Sequence, residues 1–330
     1  MRGWNLNAGF ILKEVKNDNE IWLYLSKLFS SKTRNTTSYK FVFLRCILEN
    51  IYNLDTNLCI TIDSLFMKFT EIYWNLVVLN KLSQCSTKSS VEIELIHYID
   101  TSLVNIGTIE FNSLPNTIKD QLYERVTKVG KKYVIGALYG DFDGSIYEFS
   151  KISNLIKLSP KFYEFFRNYN KIIYSLNNYE LIKYIGKFNH KDYNYNIVIK
   201  IENITKRTNL SVFRSKLLNN DDSCFYCGKK LDPKEGSIEI DHFIPWSFIH
   251  DDQIWNLVQT CRTCNNSKRE DIPKNFFLDK LILRNERFLT ITELKTLLNF
   301  YSQEKIHILY ENSILNGYNA NWMPKAQDFK

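Results

Sequence analysis

The sequence predicts a mainly α-helical chain in which a small metal-stapled module of two strands and a helix stands between a long helical region and a helical tail. Three observations carry this. Apolar residues recur at helical spacing through most of residues 17–189 and again over 276–312. Gly and Pro are sparse, 11 and 6 of 330 residues, which disfavours a turn-rich all-β fold. Two Cys-x-x-Cys pairs then enclose a stretch whose apolar period changes to two.

The length suits two modest domains with real cores, since 44% of the residues are hydrophobic. We divide the chain into a helical recognition or regulatory domain with a small β-hairpin (1–205), a metal module (206–275) and a C-terminal helical extension (276–330). Residues 17–33 read as a helix with polar cap residues followed by Ile21, Leu23, Leu25 and Leu28. Residues 37–54 read as a more buried helix, and 61–82 as one opening at Thr61 and Asp63. Residues 115–130 have Pro near the start and Gly at the end, the asymmetry of a complete helix. The stretch 132–150 is predicted as a hairpin with Asp143-Gly144 in its turn, and 159–189 as a helix with Pro160 in its first turn. Asp141 and Asp143 are read as turn residues rather than cation ligands, and the recurring aromatics as core.

A net charge of +7 is compatible with a polyanionic partner. The first residues lack the features of a secretory signal, and no apolar run is long enough to span a bilayer, so a cytoplasmic protein without membrane contact is expected. In that compartment cysteines stay reduced. Cys46, Cys59 and Cys85 stand among apolar residues and read as small buried hydrophobes.

The other four cysteines form the pairs Cys224/Cys227 and Cys261/Cys264. Each pair offers two thiolates from one tight turn, and together they complete a tetrahedral Zn²⁺ shell. The 33 residues between the pairs exceed what a compact zinc ribbon uses, so something is inserted. The insert contains "SIEIDHF", an alternating strand, then "IPWSFIHDDQIW", a loop, then "NLVQT", a second strand. "CNNSKRED" starts a helix at the second metal turn, and "IPKN" stops it. Zinc would substitute for a core too small to hold by burial alone.

This segment resembles the HNH, or ββα-metal, endonucleases that carry a structural zinc. The resemblance rests on the first Cys pair, Asp241-His242, Pro245, Asn256-Leu257-Val258, the second Cys pair running into Asn265, and Lys268. Asn265 occupies the place of the family's second histidine, making this an H-N-N variant. The resemblance implies a DNA endonuclease, with double-stranded DNA as partner, and a catalytic Mg²⁺ or Mn²⁺. It also implies that Asn256 bonds across the loop to fix the histidine. The "TTSYKFVFL" and "LYGDFDGSIYEF" stretches ahead of the module resemble prokaryotic HNH proteins of restriction or phage defence. Residues 1–205 are then expected to recognise DNA, bind a partner subunit or activator, or hold the nuclease inactive.

The chemistry of the residues agrees. Phosphodiester hydrolysis needs an activated water and neutralisation of the phosphate and leaving oxygen. His242 is the expected general base, because imidazole titrates near neutral pH. Asp241 and Asn265 offer oxygen ligands to a hard divalent cation. Arg262, Lys268 and Arg269 are expected phosphate contacts. His250 is a rival base but reads as a loop brace. His97, His190 and His307 read as structural, and Trp246 and Trp255 as core plugs. Asp241 and His242 are neighbours on a strand and so should face opposite ways, which predicts that the strand ends or bulges there. Two alternatives use the same scaffold. One is a non-catalytic zinc module that only binds nucleic acid, which would not need the Asp-His-Asn set. The other is an RNA-cleaving toxin.

Overall fold

The computed structural model describes residues 6–30, 33, 35–102, 106–189, 196–202, 210–231 and 238–325. His190 and the expected boundary near 205 lie outside them. The chain forms two compact units, residues 1–206 and 207–330.

The first unit is mainly helical. Its helices are α1 (Asp18–Leu28), α2 (Tyr39–Glu49), α3 (Ile62–Tyr73), α4 (Ser90–Thr101), α5 (Asn116–Tyr133), α6 (Ile135–Asp141), α7 (Pro160–Asn168), α8 (Asn170–Gly186) and α9 (Asn196–Glu202). The starts follow local chemistry: the Asn17 side chain accepts from the Glu20 N–H at α1, and Thr61 from the Ser64 N–H at α3. Ser89 and Glu92 form a reciprocal capping box at α4. Nearly all of α2 is buried, as its continuous apolar run requires, and aromatic rings fill much of the core around it. The four short strands β1 (Ala8–Gly9), β2 (Cys59–Thr61), β3 (Tyr147–Ser150) and β4 (Leu155–Leu158) make an antiparallel sheet in the order β1-β3-β4-β2.

Three expectations are corrected here. The hairpin is not 132–150. Residues 135–141 are helical, Asp143-Gly144 turns the chain out of that helix with both residues at positive φ, and the hairpin is β3–β4. Its turn, with Asn154 at φ +57, carries none of the Gly or Pro punctuation that marks a turn in sequence. Gly130 does not end α5. The helix continues to Tyr133, and Gly130 lets it close on α3, because a Cβ there would fall 1.9 Å from Phe66. Residues 159–189 are two helices, broken at Tyr169. Asp141 and Asp143 are ion-paired with Lys40 and Lys27. His97 lies exposed on α4 and packs into no core.

The second unit carries α10 (Ser211–Leu218), β5 (Ile238–His242), α11 (Trp246–Ile249), β6 (Leu257–Cys261), α12 (Arg262–Lys268), α13 (Asn275–Leu289), α14 (Thr292–Lys295) and α15 (Gln303–Leu315). The antiparallel pair β5–β6 runs in register from Ile238↔Cys261 to His242↔Leu257. The segment read as loop contains the short α11 and a 3₁₀ turn at Ile254–Asn256. The C-terminal helices brace this hairpin. Arg284 on α13, buried and pulled down to about 9 by desolvation, donates to the carbonyls of Ile254, Trp255 and Leu257. Asn285 donates to the Trp255 carbonyl at 2.8 Å. The start of β6, where the chain has just left the cleft loop, is thereby pinned from the tail. His307 lies exposed on α15 and packs into no core.

Candidate active site and metal centre

The four cysteines of the two pairs converge. Their sulfurs all lie within 4.8 Å of one another, and Cys227 Sγ is 3.9 Å from Cys261 Sγ. A tetrahedral Zn²⁺ with thiolate ligands has sulfurs about 3.8 Å apart, so the cage is the right size. All four are buried and none is in a disulfide. The first pair sits on a turn closed by the Gly228 N–H on the Cys224 carbonyl (2.9 Å), with Gly228 at φ +74 where only glycine is unstrained. Cys261 ends β6 and caps α12, its sulfur accepting from the Cys264 N–H. The Cys224 thiol is pushed down to about 5, chiefly by the hydrogen bond from Cys264 and then by backbone N–H groups, while burial pushes Cys227 up to about 11. Four such thiols cannot ionise together without a cation among them, which fits a metal-binding cage.

Beside this centre lies a cleft of about 510 Å³ lined by Asp241, His242, Trp246, Asn265, Arg269 and neighbouring residues. The β5 ladder is regular through Asp241, without a bulge, and the strand ends at His242, whose pairing with Leu257 is the last of the register. Among the described residues β5 pairs only with β6, and both Asp241 and His242 line the cleft. The strand thus ends where the sequence expected it to end or bulge.

His242 is almost fully buried, and its Nε2 lies 2.7 Å from Asp252 Oδ1. An ionised carboxylate only accepts, so beside it a neutral imidazole donates through Nε2 and keeps its lone pair on Nδ1. Nδ1 has no protein partner among the described residues. Asp252 was not singled out from the sequence. The acidic step "HDD" was the available signal, but it stands ten residues from His242 and beside the competing His250. Asn256, wholly buried, clasps Ile244 with both amide atoms: Oδ1 accepts from its N–H at 2.9 Å and Nδ2 donates to its carbonyl at 2.8 Å. The Phe243 N–H also donates to the Asn256 carbonyl. The chain leaving His242 is thus tied down at once.

Asp241 Oδ2 accepts from the Tyr226 hydroxyl at 2.8 Å and pairs with Lys268 Nζ at 3.0 Å. Burial, followed by the Asp241 charge, pushes the Tyr226 phenol well up, so it stays a donor. Asn265, half-buried on α12, lines the cleft with no side-chain partner among the described residues.

Arg262, which starts α12, and Arg269, just past its end, are exposed, and Arg269 sits at φ +52 and lines the cleft. Lys268 departs from expectation as a phosphate contact: it is fully buried, its ammonium held by Asp241 and by the His242 carbonyl at 2.8 Å. Trp246 is half-exposed at the cleft rather than a core plug, whereas Trp255 is buried with its Nε1 on the Asn299 carbonyl. His250 is buried edge-on to Trp246, 5.5 Å between ring centroids, at the end of α11.

Residues 224–274 match the family model described as HNH endonuclease. This part of the second unit is therefore an HNH endonuclease domain, which supports nuclease activity in general and a nucleic-acid substrate. No curated protein and no solved structure matches the chain. Among the described residues, no helix is long and apolar enough to cross a membrane.

Proposed function

We propose that the protein is a metal-dependent endonuclease that hydrolyses DNA phosphodiester bonds, with His242 as general base. The observation that carries this reading is the His242–Asp252 pair at 2.7 Å in the cleft that Asp241 and Asn265 also line. Asp252 holds the imidazole with its Nδ1 lone pair free, and that atom takes the proton of the attacking water. Asp241 and the Asn265 amide oxygen hold a divalent cation of the Mg²⁺ or Mn²⁺ kind, which when bound stabilises charge on the phosphate and leaving oxygen. Arg262 and Arg269 contact phosphates on either side of the scissile bond. A zinc ion in the four-cysteine cage keeps β6 and α12 in register with the first knuckle. Charge is unevenly shared: residues 207–330 have 17 Lys and Arg against 16 Asp and Glu, and residues 1–206 have 26 against 20. The nuclease unit attracts a polyanion little by itself, so the first unit supplies most of the long-range attraction.

A cytoplasmic nuclease needs a gate against host DNA, and restriction or anti-phage defence suits one that checks for a modified base, a target site or an activator. Supercoiled plasmid, modified and unmodified phage DNA, and RNA are incubated with the protein and Mg²⁺. Cutting of DNA is expected. It should stop when Mg²⁺ is chelated under conditions that leave zinc in place, and return on re-addition. Cleavage of RNA alone would replace DNA with RNA as substrate. Cleavage that survives chelation would remove the hydrolytic cation.

Asp252→Ala is expected to lower kcat by about 10- to 100-fold with little change in KM, since the base is misoriented while phosphate contacts remain. Asp252→Asn, which keeps an acceptor for Nε2–H, should recover part of the loss. Equal rates for Ala and wild type would remove Asp252 from the mechanism.

A further inference from the structure

One oxygen of Asp241 carries two donors, and both come from the four-cysteine centre. Tyr226 is one of the two residues between Cys224 and Cys227. Lys268 stands four residues after Cys264, about one turn along α12. The Tyr226 hydroxyl and the Lys268 ammonium meet at Oδ2, at 2.8 and 3.0 Å. Oδ1 carries no bond among the described residues, and Asp241 lines the cleft. Each metal knuckle thus sends one arm to the same atom.

Neither arm can swing. The Tyr226 ring is wedged among Phe225, Phe277 and Trp322, with centroids 5.3, 5.5 and 4.9 Å away. Lys268 is fully buried and held a second time by the His242 carbonyl. A cage that only stabilised the fold would need neither donor. A phenylalanine at 226 would fill the same aromatic pocket without burying a hydroxyl.

We propose that Tyr226 and Lys268 are positioning residues that couple the four-cysteine centre to the cation site, holding Asp241 by Oδ2 so that Oδ1 alone is offered to the cleft. The inference rests on the reading of Asp241 as a cation ligand. A filled cage keeps both arms in register. An empty one frees the two turns that carry them, so zinc loading raises the affinity for the second metal without touching it.

The test uses the zinc-loaded full chain and Mn²⁺ without nucleic acid, with free Mn²⁺ followed by electron paramagnetic resonance. Wild type and Asp241→Asn are compared first. Equal Mn²⁺ binding by these two defeats the reading of Asp241 itself, whatever the arms do. Where they differ, Tyr226→Phe is expected to keep its zinc stoichiometry and melting temperature and to bind Mn²⁺ about tenfold more weakly. Unchanged or tighter binding overturns the coupling. Should Tyr226→Phe lose its zinc or fail to fold, 3-fluorotyrosine placed at 226 replaces it. Its ¹⁹F resonance should move when Mg²⁺ saturates the site, and a resonance that stays put overturns the coupling equally.

Discussion

His242→Ala is expected to lower the cleavage rate by about 10²- to 10⁴-fold, the usual contribution of a positioned acid–base group, while nucleic-acid binding stays close to wild type. Binding should survive because the exposed Arg262 and Arg269 are untouched and most of the basic excess lies in residues 1–206. Alanine also takes the imidazole away from the nearly buried Asp252 carboxylate, side chain 7% exposed. Losing that hydrogen bond costs about 1–3 kcal/mol, an effect on stability apart from the loss of the base. His242→Asn separates the two effects. Its amide can still donate to Asp252, so stability should return while the rate stays low, asparagine being no base. Rates are measured on plasmid at saturating Mg²⁺, with melting temperatures alongside. Wild-type cutting by either variant would remove His242 as the base.

Cys261→Ser is expected to empty the four-cysteine cage and to cost the second unit at least about 3 kcal/mol. The substitution isolates the metal contribution. Cys261 is also the N-cap of α12, and serine is among the best residues for that position, so the helix start is preserved while the thiolate is lost. Zinc content by mass spectrometry should fall well below one per chain, and amide exchange should quicken over residues 224–231 and 238–272. Acid acts in the same direction: the sulfurs bind metal as thiolates, so metal affinity falls as pH falls and protons compete. Full zinc content with unchanged exchange would dismiss the structural metal.

Several features of this chain are legible from its residues alone because they depend on local chemistry. The four cysteine positions declare a cage through spacing, and α1 and α3 begin where Asn17 and Thr61 can cap. The strand β5 follows from the alternation in "SIEIDHF". Where reading failed, the deciding contact is remote. Gly130 looks like a helix stop until Phe66 comes close enough to exclude any side chain. The β3–β4 turn carries no Gly or Pro, and its positive φ falls to Asn154, a residue type that tolerates it, so the strand pairing rather than a Gly or Pro marks the turn.

The same division runs through the cleft. Sequence by itself determined which residue types are available, an acid and an imidazole ahead of a proline and an amide after the last cysteine, because side-chain chemistry travels with the residue. Tertiary structure alone decided what each one touches. It paired His242 with Asp252, turned Lys268 inward from the solvent where a lone lysine would go, and brought Tyr226 to Asp241 across 15 residues. The reason is energetic: a polar group withdrawn from water must find its partner in the fold, and only the packed chain settles which partner is within reach.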